Sequence, residues 1–167
     1  MINRKPLPTL EYLHSLFLYE PETGLLRWKV SRCAQRRIGD AAGWNTDTWY
    51  VQIRIDRQIY TAHSIIWKMV TGEDPSELID HKNGVKNDNR WDNLREASLS
   101  ENQANSGIRR HNQSGAKGVS KSRNLWEARI CFHGKHVRLG RYATKEEAHS
   151  AYRKAAAETH GEFARFE

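Results

Sequence analysis

Cysteine is scarce in this chain: Cys33 and Cys131 are the two among 167 residues, they lie far apart, and neither belongs to a CxxC. That argues against a disulfide framework and a zinc ribbon, so no structural zinc is expected. Long apolar runs are missing as well. No stretch approaches the ~20 apolar residues of a membrane span, and the opening "MINRKPLPTLEYLHSLFLYEPE" lacks the core of a signal peptide. No membrane partner is expected, no motif asks for a small-molecule cofactor, and the chain reads as cytoplasmic. Acidic residues are in deficit, 20 against 27 Lys and Arg, for a net charge of +7. Cations in surplus gain affinity for polyphosphates through counterion release, which makes nucleic acid the first partner to consider.

The surplus is uneven. Residues 1–110 hold 16 Lys and Arg against 14 Asp and Glu, a net of +2, whereas residues 111–167 hold 11 against 6, a net of +5. Between them "SGIRRHNQSGAKG" (106–118) is polar, rich in glycine and aperiodic. Residues 106–116 therefore read as a basic linker, in which Arg109, Arg110 and His111 can track a phosphate backbone. Beyond it, "KGVSKS" (117–122), "WEARICFH" (126–133) and "KHVRLGRYA" (135–143) alternate apolar and polar residues around turns at 123–125 and Gly134. That pattern predicts a three-stranded antiparallel meander. In "TKEEAHSAYRKAAAETHG", Thr144 and Glu147 form a capping box, Ala148, Ala151, Tyr152, Ala155 and Ala156 share a face, and Gly161 supplies the stop. One helix is expected to cover one face of the sheet. Its basic residues would occupy the other, and a twisted β surface can enter the major groove.

This run, with its "GV", "W.A.I" and "LG.Y.T.EEA..AY..AA" and the Gly161 ending, resembles the DNA-binding domain of plant ethylene-response factors, the Apetala-two family, over about residues 115–166. The resemblance implies a domain at 117–167 that contacts double-stranded DNA through Lys117, Lys121, Arg123, Trp126, Arg129 and Arg138. Ser120 stands where plant members often carry arginine, so base preference does not carry across.

Upstream, "YVQIRID" and "QIYTAH" alternate around Asp56 and Arg57, predicting a hairpin, and "HSIIWKMVTG" switches to helical spacing through Ile65, Ile66, Met69 and Val70. Trp28, Trp44, Trp67 and Trp91 are expected in the core. Arg32, Arg36 and Arg37 fall in a loop, with DNA contact and simple solvation equally open.

"LIDHKNGVKNDNRWDNLREASLSENQANS" (78–106) gathers six asparagines around one histidine, His81, with Asp80 beside it. A short strand is expected to end at these two residues, Asn83-Gly84 to turn, Asn87 and Asn89 to shape a loop, and "NLREAS" (93–98) to form a second strand. Ser98 and Glu101 repeat the capping box, predicting a helix from near Leu99 that carries Asn102 and Asn105. Phosphodiester hydrolysis needs a group that takes a proton from water, and His suits that near neutral pH. It also needs a hard cation, for which Asp80 and Asn102 offer oxygen donors.

"HSIIWKMVTGEDPSELIDHKNGVKNDNRWDNLREASLSENQAN" resembles HNH endonucleases of the phage and intron homing type, with the ββα-metal fold; "Y.PETG.L.W" at 19–28 resembles their β-rich lead-in. The resemblance implies Asp80 and Asn102 as metal ligands, His81 as general base, and Asn93 as the residue that holds the loop and orients His81. His63 matches a histidine that commonly precedes this module, with a structural or DNA-contacting role; Asn105 stays undecided. The expected protein is α+β. A nuclease domain would occupy 1–105, with its ββα core at about 77–105, followed by the linker and the Apetala-two-like domain.

The function expected is site-selective DNA cleavage or nicking in a phage-infected or bacterial cell, with one Mg²⁺ or Mn²⁺ per site. The alternatives are a catalytically inactive DNA-binding regulator and, on charge alone, an RNA-binding protein. The oligomeric state is not legible.

Overall fold

The computed structural model describes residues 6–31, 37–109, 111–132 and 134–166. Arg32, Cys33, Arg36 and Arg110 lie outside the described residues. The mixture of helix with small sheets is α+β. It divides into two compact units, residues 1–96 and 97–167, so the contacts of residues 97–105 fall in the second unit.

In the first unit Thr9 caps α1 (Leu10–Leu16) by accepting from the Tyr12 N–H at 3.3 Å. This helix was not expected, because seven residues give less than two turns and little periodicity. A hairpin of β1 (Phe17–Glu20) and β2 (Leu25–Trp28) follows, with Phe17 opposite Trp28. Then β3 (Trp44–Asn45), β4 (Val51–Ile55) and β5 (Gln58–Thr61) form a sheet in that order. Asp56 and Arg57 turn the β4–β5 hairpin with φ of 46° and 68°, a left-handed pair that matches the twist of its strands. α2 (Ala62–Thr71) ends on left-handed Gly72. It buries Ile65, Ile66 and Met69 against Leu13, Phe17, Trp28, Ile53 and Ile55.

Not every apolar residue assigned to the core goes inside. Trp28 is buried, and Trp67 and Trp91 pack on the core with ring centroids 5.2 Å apart, but Trp44 is 41% exposed. It sits on a two-residue edge strand, which has a neighbour on one side only. Val70 is also exposed, on the outer side of α2.

The unit closes with β6 (Leu78–His81), which pairs with β7 (Leu94–Ala97). Asn93, expected at the start of the second strand, belongs to a short 3-10 turn, Trp91–Asn93, that leads into it.

The second unit begins with α3 (Leu99–Asn105), whose Ser98–Glu101 capping box is complete. β8 (Val119–Ser122), β9 (Leu125–Phe132) and β10 (Lys135–Tyr142) form an antiparallel meander with β9 in the centre. α4 (Lys145–His160), capped by Thr144 and Glu147, covers one face. Ala148, Tyr152 and Ala156 meet Ala128 and Ile130 there, and small side chains let helix and sheet approach closely. Gly118 marks the limit of that approach: with φ of 71° it lies where an added Cβ would come within 2.1 Å of the Tyr152 ring. Among the described residues no helix is long and apolar enough to cross a membrane.

Candidate active site

Asp80 and His81 are the last two residues of β6, and both are buried, at 5% and 3% exposure. Adjacent strand residues point to opposite faces, and the two side chains meet different neighbours. Asp80 Oδ2 accepts from Arg95 Nε at 3.0 Å, an ion pair across to β7 that is itself largely buried. The His81 ring lies 5.3 Å from the ring of His63, near the start of α2, and 6.1 Å from that of Tyr50.

His81 Nε2 is 3.0 Å from Oδ1 of Asn89, which is 2% exposed. An amide oxygen only accepts, so Nε2 carries the proton and the lone pair belongs to Nδ1. Burial pushes the imidazole pKa below its ordinary value, outweighing the opposite pull of the Asn89 hydrogen bond and of Asp80 and Asp88, while Lys86 adds to the depression. The neutral ring, the form able to take a proton, therefore prevails at neutral pH.

The loop between β6 and the 3-10 turn is held at three points. Asn93 Oδ1 accepts from the Asn83 N–H at 3.0 Å, and its Nδ2 donates to the Asp88 carbonyl at 2.7 Å, so one amide pins both arms of the loop. Asn83 Oδ1 accepts from the Val85 N–H at 2.8 Å beside left-handed Gly84, an Asx-turn. Asp88 takes a two-pronged bond from Arg90, at 2.8 and 2.6 Å, and one from Asn83 Nδ2 at 2.7 Å; Arg90 above all holds its carboxyl down at about 2.

Asn89 is in turn held from behind. The Tyr19 hydroxyl donates to its carbonyl at 2.9 Å, and Gly24, at φ 73°, lies so close that an added Cβ would sit 2.5–2.6 Å from the Asn89–Arg90 peptide. Asn89, Tyr19 and Gly24 carry no signal as site residues in the sequence. Asn89 reads as one turn former among several, and Tyr19 and Gly24 lie 70 and 65 residues away from it.

These positions can be set beside known proteins. Residues 60–104 match the family model described as HNH endonuclease. Over 116 residues the chain is 34% identical to Protein 3.8 of Escherichia phage T7, covering 66% of this chain and 95% of that protein. The chain belongs to the HNH endonuclease family. No solved structure matches it. An HNH domain supports a nuclease-type function, implies a nucleic acid substrate, and typically works with a divalent metal.

The donors on offer in this HNH domain suit such a metal. Asp80 contributes a carboxylate and Asn102 a half-buried amide on α3, both hard oxygen donors of the kind Mg²⁺ or Mn²⁺ takes. Among the described residues no three His, Cys, Asp or Glu side chains form a cluster able to hold a metal. Asp80 and Asn102 fall on opposite sides of the division between units, and their pairing rests on the family resemblance.

The basic residues assigned to DNA are distributed unequally. Arg129 and Arg138 lie opposite each other on the sheet face away from α4, and Arg141 joins them there. Arg123 is exposed in the β8–β9 turn, and Arg109 is exposed after α3. Trp126 instead shares the helix-covered side with Ala128 and packs on that core, with Lys121 Nζ 5.9 Å from its ring centroid. Strand alternation puts it there, since it is two residues from Ala128. Lys117 points its ammonium at the carbonyls of Ala104 and Ser106 at the end of α3, and burial lowers its pKa to about 8.

Proposed function

We propose that the chain is a metal-dependent, site-selective DNA endonuclease or nickase of the homing or phage-encoded kind, acting in an infected bacterial cell. The observation that carries this reading is the buried, neutral His81 held by Asn89 at the end of β6, with Asp80 beside it. His81 Nδ1 takes a proton from the water that attacks the phosphodiester. Asn93 fixes the loop that carries Asn89, and so keeps the ring in one orientation and one tautomer. Asp80 and Asn102 are the residues to hold a Mg²⁺ or Mn²⁺. Such an ion supplies charge neutralisation at the phosphate and at the departing oxygen.

DNA affinity is assigned to the C-terminal sheet, read as an Apetala-two-like domain. Arg129, Arg138 and Arg141 would sit at its centre, with Arg123 and Arg109 beside them and Arg110 assigned to DNA by its place in the basic linker. Lys121, expected on this face, stands opposite Trp126 in the register and so belongs to the helix-covered side. Lys117 and Trp126 serve the packing of the unit, given where their side chains lie.

The test is incubation of purified protein with phage or host genomic DNA, with Mg²⁺ and with chelator, followed by mapping of the ends. Metal-dependent cuts at recurrent sites are expected. His81→Ala should abolish cutting and leave duplex binding nearly intact; cutting by that variant at the parent rate removes His81 from the mechanism.

A further inference from the structure

The open face of the C-terminal sheet contains one buried acid. Glu127 is 1% exposed, although it lies on the face that α4 does not cover. What covers it is arginine. Arg129 Nε bonds its Oε1, and its Oε2 faces Arg141 Nε at 3.2 Å and Arg138 Nε at 3.5 Å; the three arginine side chains are themselves about half exposed.

The backbone is shaped to allow this. Arg138 and Arg141 are three residues apart, which in a regular strand puts them on opposite faces. A register shift between Arg138 and Gly140 corrects the parity, so Arg138 stands opposite Arg129 and Arg141 opposite Glu127. Leu139, at the shift, goes to the helix side. Like charges directly across a strand pair repel, and Arg129 faces Arg138; the carboxylate between them offsets that repulsion. The guanidiniums hold the Glu127 carboxyl below its ordinary range, Arg129 first among them, so it stays ionised.

We infer that Glu127 determines specificity in DNA binding: it holds Arg129, Arg138 and Arg141 in one fan and sets a negative charge at the centre of the DNA-facing sheet. An arginine leaving Glu127 gives up a charge-assisted pair and must find an acceptor of similar strength, such as the O6 and N7 edge of guanine. A phosphate brought close meets the carboxylate as well as the arginines. Random duplex is therefore penalised more than a duplex whose base edges suit the fan, and discrimination depends on that repulsive element as much as on attraction. This rests on the reading of the sheet as the DNA-binding face.

The experiment uses the full chain in chelator, so that nothing is cut, and two probes: a 30-base-pair duplex of random sequence, and the duplex recovered from a random pool by repeated selection on the parent. Glu127→Gln keeps the size of the side chain. It should bind random duplex about tenfold more tightly, lower the selected-to-random ratio by about tenfold, and steepen the log-log salt slope by roughly 0.9 as one more arginine turns to phosphate. Glu127→Asp, which keeps the charge but draws it back from the guanidiniums, should move the ratio in the same direction by less, and serves should the Gln variant fail to fold. An unchanged ratio and slope, with Arg138→Ala weakening both duplexes, overturns the role of Glu127 and leaves the sheet as the binding face. Full binding in both Arg138→Ala and Arg141→Ala overturns both.

Discussion

Asn89 is the residue on which the state of His81 turns. Its amide oxygen accepts from Nε2, which leaves the lone pair on Nδ1, and it does so with little access to water. Asn89→Leu keeps the volume and removes the acceptor. The ring would lose its fixed tautomer, and kcat should fall by about a hundredfold with KM little changed, as steady-state cleavage of a defined duplex would show. A large rise in KM with unchanged kcat would instead assign Asn89 to substrate binding. At this scale the sequence was half legible. Residue chemistry singles out His81 as a base and Asp80 and Asn102 as oxygen donors, while Asn93 is picked out by the resemblance to the HNH pattern alone. Asn89 does not, because its importance depends on which way its side chain turns, and nothing in "NDNR" marks that.

The loop from Lys82 to Arg90 behaves as an element in its own right, stapled by Asn93 and by the Asp88–Arg90 pair. Asp88 has a carboxyl pKa of about 2 in the fold against an ordinary 3.8. A carboxylate depressed in this way contributes stability that is complete above about pH 3.8 and is lost as pH falls through about 2. After discounting for screening at the surface, the contribution is on the order of 1 kcal/mol. Urea unfolding of the parent and of Asp88→Asn should differ by about that much at pH 7, and the gap should close towards pH 2; a constant gap would mean the charge is not its source.

Among the elements, the β4–β5 hairpin, the capping boxes of α3 and α4 and the three-stranded meander were all legible, since local turn and cap chemistry marks their ends. The first helix was not, being too short to show a period. Nor was the register shift in β10, which moves Arg141 onto the face of Arg138 without any local mark beyond Gly140.

At the scale of the molecule, the core of the first unit is assembled from distant parts of the chain. Leu13, Leu16, Phe17, Leu26 and Trp28 come from its first elements and pack with α2 and β4. Each large side chain buried in this way contributes roughly 2 kcal/mol, and five together rival the whole stability of an ordinary domain. A chain lacking residues 1–28 should accordingly lose both cleavage and cooperative melting of this unit, measured by calorimetry beside the parent; retention of both would show that the nuclease stands without its lead-in.

The contact between Gly24 and the Asn89–Arg90 peptide carries a practical corollary. The stretch that identifies the family starts at residue 60, yet the wall behind the proposed base is built from Tyr19 and Gly24. Anyone cutting out the recognisable module to graft it onto another DNA reader would leave that wall behind. A portable unit has to begin ahead of Tyr19, and a graft made from the motif alone starts with a loosened histidine.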